Sequence, residues 1–223
     1  MQSLFKHQQE AIEFAVRNRG SCALFHDPGL GKTRTGLEIF KHFRQQNPKL
    51  RLLVVCPLSL VNSAWGEDIK RFTEFSHGYI KEIKGALPDI VIVNYEAFIS
   101  RKYLPVIERL IIGNQFMCVL DESSRLKNHK SVTTKTILAM AEYFRFRVIA
   151  SGTPMPNSEA ELWGQISFVQ PYLLPKSFYA FRNTYFYLER NGEIMTTGRY
   201  VRREQMREIL SSGWKYVISA ENH

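Results

Sequence analysis

The sequence predicts an α/β fold: a doubly wound, mostly parallel sheet with helices on both faces. Five short apolar runs rich in β-branched residues alternate with amphipathic stretches of about 10 to 15 residues. Continuous apolar runs are typical of strands buried on both faces, and the stretches between them suit crossover helices. The predicted strands are 21–26, 52–56, 90–94, 116–120 and 147–151, and the predicted helices are 6–19, 32–45, 60–73, 131–143 and 159–169.

The pattern changes after Pro171. Residues 184–198 contain the dipeptide Asn191-Gly192 between alternating residues, which is a strong hairpin signal, and 202–212 favour a helix. We therefore expect a sheet domain over residues 1–175 and a small helical and hairpin appendage over 176–223.

Composition narrows the class of protein. With 44% hydrophobic and 23% charged residues among 223, wholesale disorder is excluded. No apolar run approaches the roughly 18 residues of a membrane span, and residues 1–10 lack the apolar centre of a signal peptide, so we expect an intracellular protein without a membrane partner. The three cysteines predict neither a disulfide framework nor a zinc cluster.

The net charge of +9 comes from 30 Lys and Arg against 21 Asp and Glu. Such an excess is compatible with a polyanionic partner, but it is equally common in proteins that have none. Charge alone therefore leaves both possibilities open.

A glycine-rich turn, HDPGLGKT, follows the first predicted strand and precedes a helix. In such a turn, backbone N–H groups over Gly29, Leu30 and Gly31 can approach phosphate oxygens, aided by the positive end of the helix. Lys32 would contact the β- and γ-phosphates, and the Thr33 hydroxyl would ligate Mg²⁺. The match to the pattern G-x-x-x-x-G-K-[ST] is partial, because His26 replaces the first glycine.

An acidic pair, Asp121-Glu122, directly follows the predicted strand 116–120. Ligands bind at this end of parallel strands, so Asp121 would hold Mg²⁺ and Glu122 would orient and activate the attacking water. An isolated pair would more simply cap a turn, but the upstream phosphate loop favours the catalytic interpretation.

Seven ordered blocks give the sequence its resemblance to a known family. They are LFKHQQEAIEFAV (4–16), DPGLGKT (27–33), VVCPLSLVNSAWGEDIKRF (54–72), IVIVNYEAF (90–98), VLDESSRLKN (119–128), ASGTPMPNS (150–158) and ELWGQISFVQP (161–171). In this order they resemble the Swi/Snf-like branch of superfamily-two helicase-type ATPases. The resemblance implies the first RecA-like lobe of a DNA-dependent ATPase.

The resemblance also implies roles for single residues. Gln8 would read the adenine edge, and Ser124, Ser151 and Thr153 would couple the γ-phosphate to the nucleic-acid face. Ser124 departs from the family, which often has His there. Candidates for contact with one DNA strand are Ser59, Tyr95, Lys127 and Asn128; for each of these taken alone, a solvated surface role is about as good an interpretation.

The function implied is translocation on duplex DNA without sequence preference, driven by ATP with Mg²⁺. Lys32, Asp121 and Glu122 would be the catalytic residues, and a second RecA-like lobe, which this chain lacks, would supply arginines. Two alternatives stay open: a P-loop kinase or transport-type ATPase, and a binding module without chemistry.

Two tryptophans and four histidines have plainer interpretations. Trp65 and Trp163 lie among apolar neighbours, which predicts core positions. His7, His42, His77 and His129 lack metal-ligand spacing and are expected at the surface.

Overall fold

Seven strands form one sheet, and each pairing between them is parallel. The computed structural model describes residues 3–155, 158–189, 192, 194 and 203–218. The sheet order is β3-β4-β2-β5-β6-β1-β7. The strands are β1 Ser21–His26, β2 Arg51–Cys56, β3 His77–Tyr79, β4 Ile90–Asn94, β5 Phe116–Asp121, β6 Phe144–Ser151 and β7 Lys215–Ile218. The predicted fold class is thereby confirmed.

Helices cover both faces of the sheet and bury two apolar clusters. Along β2, Leu53 belongs to one cluster and Val54 to the other, as expected for a strand buried on both faces. The helices are α1 Lys6–Arg17, α2 Lys32–Gln46, α3 Glu67–Phe72, α4 Leu104–Gly113, α5 Val132–Met140, α6 Leu162–Val169, α7 Phe178–Tyr185 and α8 Arg203–Ser211. Within the described ranges, no helix is long and apolar enough to cross a membrane.

The five predicted strands are all present, but several helices differ from the prediction. The helix predicted at 60–73 is a π-helical turn, Val61–Gly66, followed by the short α3. The helices predicted at 131–143 and 159–169 each include a 3₁₀ turn. The sequence pattern did not predict α4, α7, β3 or β7, and the two strands are only 3 and 4 residues long.

Part of the predicted appendage belongs to the sheet. Strand β7 pairs with β1, with Ala23 opposite Lys215, and Trp214 packs edge-on against Phe25 at 5.7 Å between ring centroids. Of the predicted hairpin, Leu188 and Ile194 form an antiparallel bridge, whereas Asn191 lies outside the described residues. Residues 184 and 185 are helical rather than extended.

Helix α6 packs directly on the 3₁₀ turn Ser123–Lys127 that follows the acidic pair. A Cβ atom built on Gly164 would lie 2.4 Å from the carbonyl oxygen of Leu126. The glycine therefore permits a close approach between helix and turn.

We expect Gly164→Ala to lower the free energy of unfolding by about 1–3 kcal/mol, because helix and turn must separate to admit the methyl group. Gly113→Ala is the matched control: no heavy atom of the described residues lies within 4 Å of a Cβ at Gly113, which ends α4. It should be neutral or stabilising by up to about 1 kcal/mol. Urea unfolding of both variants measures the difference, and equal effects would contradict the packing argument.

Candidate nucleotide site

Three sequence motifs meet at the carboxyl edge of the sheet because their strands are neighbours. Strands β5, β6 and β1 are adjacent, and the register places Asp121 beside Ala150 and Phe25 beside Ser151. The loop after β1 is the phosphate loop, residues 26–33. The loop after β5 begins with the acidic pair Asp121-Glu122, and the loop after β6 carries the Ser-Gly-Thr-Pro motif, residues 151–154. Ligands of open parallel sheets bind at this edge.

The phosphate loop has the backbone that its glycines allow. Gly29 and Gly31 have φ angles of 85° and 73°, in the left-handed region that favours glycine. Helix α2 begins at Lys32, so its N-terminal N–H groups follow the loop directly. The Lys32 ammonium donates to the carbonyl oxygen of His26 at 3.0 Å, and Thr33 is half-buried in the first turn.

The start of helix α1 rests on the phosphate loop. The Gln8 side chain accepts from the Phe5 backbone N–H at 3.0 Å and donates to the Gly31 carbonyl at 3.5 Å. The His7 ring contacts the Leu30 carbonyl oxygen at 3.0 Å. A Cβ atom on Gly31 would lie 2.4 Å from the Gln8 amide nitrogen, so this contact requires glycine.

A cavity of about 190 Å³ opens beside Gln8 and includes an arginine that the sequence motifs did not indicate. The Arg34 guanidinium lies 3.9 Å over the Phe72 ring and pairs with Glu38 at 2.8 Å. Its Nη1 atom is buried and has no hydrogen-bond partner among the described residues. The cavity is lined by Ser3, Phe5, Gln8, Gly31, Arg34, Asp68 and Phe72.

The Asp121 carboxylate is buried and held by two hydrogen bonds. Trp65 Nε1 donates to Oδ2 at 2.9 Å, and the Glu122 backbone N–H donates to Oδ1 at 3.0 Å. Burial raises the pKa of Asp121, whereas these two hydrogen bonds and the nearby Lys32 charge act in the opposite direction. Trp65 is a core residue as predicted, and in addition it orients this carboxylate.

Glu122 adopts a left-handed conformation, with φ 53° and ψ 51°. Such a backbone costs free energy for a residue with a side chain and is often found at functional sites. Glu122 is half-buried, and its pKa is raised by burial and by the neighbouring Asp121 charge. A carboxylate with a raised pKa is better suited to accept a proton near neutral pH.

The burial of Tyr95 contradicts its predicted role as a DNA contact. Only 3% of the residue is exposed, and its hydroxyl donates to the Asp121 carbonyl oxygen at 2.8 Å. Tyr95 therefore braces the end of β5 and cannot reach a phosphate backbone. The other three candidates, Ser59, Lys127 and Asn128, are exposed in the segments that follow β2 and β5.

The Ser-Gly-Thr-Pro motif, residues 151–154, lies directly against the phosphate loop. A Cβ atom on Gly152 would lie 3.1 Å from Pro28 Cδ, so the motif lies against the phosphate loop. The buried Ser151 hydroxyl oxygen accepts from the Thr153 backbone N–H at 3.1 Å, while Thr153 itself is exposed.

A buried amide joins the Ser-Gly-Thr-Pro motif to the acidic pair. Gln165 Nε2 donates to the Pro154 carbonyl at 2.7 Å, and the Ser123 hydroxyl donates to Gln165 Oε1 at 2.8 Å. Ser123 and Gln165 are both fully buried. Ser124, the residue proposed for coupling, is only half-buried, and sequence analysis did not single out either member of this link.

The surface prediction is wrong for one of the four histidines, His7, and the other three are only partly exposed. His7 is buried on the phosphate loop, His129 stacks on Phe178 at 3.6 Å between ring centroids, and His42 and His77 are half-buried. Aromatic neighbours that are distant in sequence explain the partial burial of His129, and a pattern of metal spacing could not reveal them.

The fold and the edge of the sheet on which these motifs meet define a RecA-like domain of the P-loop class. The model of the SNF2-related domain family matches residues 7–213. The chain belongs to this family, as its motif order predicted.

Three known proteins illustrate the relationship. A Caenorhabditis elegans homologue of SWI/SNF-related matrix-associated actin-dependent regulator of chromatin subfamily A-like protein 1 is 28% identical over 76% of the chain. The TATA-binding protein-associated factor mot1 of Aspergillus fumigatus is 32% identical over 74% of the chain. The SWI2/SNF2 ATPase core of Sulfolobus solfataricus, solved in complex with dsDNA, has a TM-score of 0.80 and 22% identity over 98% of the chain.

All three relatives are longer than this chain. The matched region spans 24% of the worm protein, 10% of the fungal protein and 45% of the archaeal core. The chain therefore corresponds to one part of each relative.

The pH dependence of stability should report on His26, which is fully buried and has both ring nitrogens unpartnered among the described residues. Burial, with the neighbouring His7 and Lys32, lowers its pKa to about 4. The folded state therefore binds fewer protons than the unfolded state between pH about 4 and 6.5, and stability falls as pH falls through this window.

We expect His26 to account for a loss of up to about 3 kcal/mol across that window, measured by urea unfolding at a series of pH values. His26→Gln should flatten the pH dependence. His42→Gln, which removes a half-buried histidine on α2, should retain it. A parallel slope in His26→Gln and the unsubstituted chain would refute the assignment.

Proposed function

We propose that the chain is the ATP-binding first lobe of a DNA-dependent ATPase that translocates on duplex DNA. The observation that supports it most is that Lys32, Asp121 and Glu122 lie at one edge of the sheet, on the loops that follow β1 and β5, the two strands on either side of β6. Family membership supports the ATPase class, since the structurally similar archaeal protein is described as an ATPase core.

The phosphates of ATP would lie on the loop from Gly29 to Thr33. On binding, the Lys32 ammonium would exchange the His26 carbonyl, which it contacts at 3.0 Å, for phosphate oxygens. Mg²⁺ prefers oxygen ligands, and Thr33 and Asp121 supply a hydroxyl and a carboxylate on adjoining loops. Bound there, Mg²⁺ would neutralise charge on the β- and γ-phosphates.

The adenine would occupy the cavity beside Gln8. The Gln8 amide can donate and accept in one plane, the pairing that reads an adenine edge. Its present partners are backbone groups of Phe5 and Gly31, of which the 3.5 Å contact to Gly31 is long enough to give way.

Glu122 would act as the general base. Its raised pKa favours uptake of a proton from the water that attacks the γ-phosphorus. Trp65 and Tyr95 would keep the Asp121 end of the strand fixed while this happens.

Coupling to DNA would run through the Ser-Gly-Thr-Pro motif. Ser151 and Thr153 would respond to the γ-phosphate, and Ser124 with the buried Ser123–Gln165 link would relay the change to the acidic loop. Exposed Ser59, Lys127 and Asn128 would contact the phosphate backbone, which makes binding salt-dependent and independent of sequence.

A second RecA-like lobe would complete the ATPase site. We propose that residues 1–175 form the first lobe and that 176–223 lead towards the second, whose arginines would stabilise charge in the transition state. Arginine fingers contribute about 10³ to 10⁵ in rate in related P-loop systems, so the first lobe alone is incomplete for catalysis.

Lys32→Ala should weaken ATP binding to the 223-residue chain by roughly 10- to 100-fold, because a charge-assisted contact to phosphate is lost. Glu122→Gln should leave ATP affinity within about threefold, since it removes a base and not a phosphate contact. Lys49→Ala, an exposed lysine at the opposite end of the sheet, is the control and should have no effect. Isothermal titration calorimetry measures all three, and unchanged affinity in Lys32→Ala would overturn the nucleotide site in favour of a binding module.

The 223-residue chain by itself should hydrolyse ATP very slowly, with or without duplex DNA, because in this proposal the arginines that stabilise the transition state come from a second lobe. Phosphate release in the two conditions tests this. Brisk DNA-stimulated turnover by the 223 residues alone would contradict the two-lobe proposal, and turnover stimulated by a small phosphate acceptor instead of DNA would indicate a P-loop kinase.

A further inference from the structure

A recess of about 390 Å³ lies at the amino ends of β1 and β6, at the opposite edge of the sheet from the nucleotide site. Ser21 and Arg147 are paired at this edge, and β1 runs from Ser21 to His26. At a rise of about 3.3 Å per residue, roughly 16 Å separate the recess from the phosphate loop. We call it the amino-edge recess.

The lining of the amino-edge recess is positively charged. Arg17, Arg19 and Arg147 contribute three guanidinium groups, and none of the described residues that line the recess is acidic. None of the three forms an ion pair with a residue that the structure describes. Three uncompensated guanidinium groups around one concavity favour an anion.

Arg147 occupies an unusual place for a cation. It lies in an interior strand and is half-buried, and Ile149, two residues further on the same face, belongs to the apolar core. Its Nη1 donates to the Ala141 carbonyl at 3.3 Å, but its Nε is buried with no partner among the described residues. Burial of the guanidinium also lowers the pKa of Arg147. A bound anion would supply compensating charge for this half-buried guanidinium.

Several features shape the rim of the amino-edge recess. Gln170 donates to the Ser21 carbonyl at 3.2 Å and ties the end of α6 to β1. Arg19 has a φ angle of 53°, an uncommon backbone for a residue with a side chain. Tyr172, which is 92% exposed, presents an aromatic ring beside the guanidinium groups.

We propose that the amino-edge recess binds a small phosphorylated ligand, with Arg147 at its base and Arg17 and Arg19 at its rim. Phosphate suits the site better than a single carboxylate because it offers more oxygens and more charge to three planar donor groups. The concave shape favours a small ligand over a long nucleic-acid backbone, which would need an extended groove. This inference is independent of the proposed ATPase function.

The test uses inorganic pyrophosphate as the probe and the arginine Nε–Hε signals of the 223-residue chain in ¹H–¹⁵N NMR spectra. We expect saturable shifts of the Arg17, Arg19 and Arg147 signals, and these should persist in Lys32→Ala, which disables the phosphate loop. Arg147→Gln should weaken binding at least about tenfold, the effect of losing one charged hydrogen-bond donor. Arg145→Gln is the matched control, because it removes the same charge from an exposed position of the same strand, and it should change affinity less than about twofold.

Arg19→Gly is a second test variant, chosen because it removes a guanidinium group without disturbing the fold. Glycine fits the left-handed backbone at this position, so this variant should remain at least as stable and still bind pyrophosphate more weakly. The proposal is overturned if the three signals do not move, if Arg145 shifts equally with them, or if Arg145→Gln and Arg147→Gln weaken binding alike. The same spectra should be recorded with a short single-stranded oligonucleotide. If it shifts the same signals at a lower phosphate concentration than pyrophosphate does, the ligand is a nucleic-acid backbone and the small-ligand proposal is overturned.

Discussion

The buried carboxylate of Asp121 is the constraint on which the candidate site depends. An ionised carboxylate in an apolar layer is tolerated only if hydrogen bonds and charge compensate for lost hydration. Here the compensation comes from separate elements: the Trp65 indole after β2, the backbone N–H of Glu122, and the nearby Lys32 charge from the phosphate loop. Because each partner comes from a different loop, the carboxylate fixes their relative positions.

This arrangement follows from the parallel sheet. Parallel strands place their carboxyl ends at one edge, and the order β2-β5-β6-β1 brings four motif loops side by side. The buried Gln165 then connects the loops after β5 and β6 where no strand pairing can. Since the Ser123 and Gln165 side chains are fully buried, a shift in either loop has to move the other or leave a polar group unpaired.

The parts predicted well from sequence are those with local signals. Five apolar runs gave five strands, and the glycines at 29 and 31 gave a turn whose left-handed angles the structure contains. The burial of Tyr95 and His7 could not be predicted, because it depends on Asp121 and Leu30, which are distant in sequence. Motif resemblance assigns a block to a face of the fold, but it does not say which side chain in the block points inward.

Short edge elements escaped prediction for a related reason. Strand β7 has only partly buried or exposed residues and 4 positions, so its own pattern carries little information, and its pairing with β1 decides its structure. That pairing also reaches the nucleotide site, since the Asp27 backbone N–H donates to the Ile218 carbonyl at 3.1 Å and the Tyr216 ring packs edge-on against His26. The segment that leads out of the sheet is thus bonded to the phosphate loop itself. A displacement of β7 would therefore have to move the residues that precede Lys32 or break these contacts.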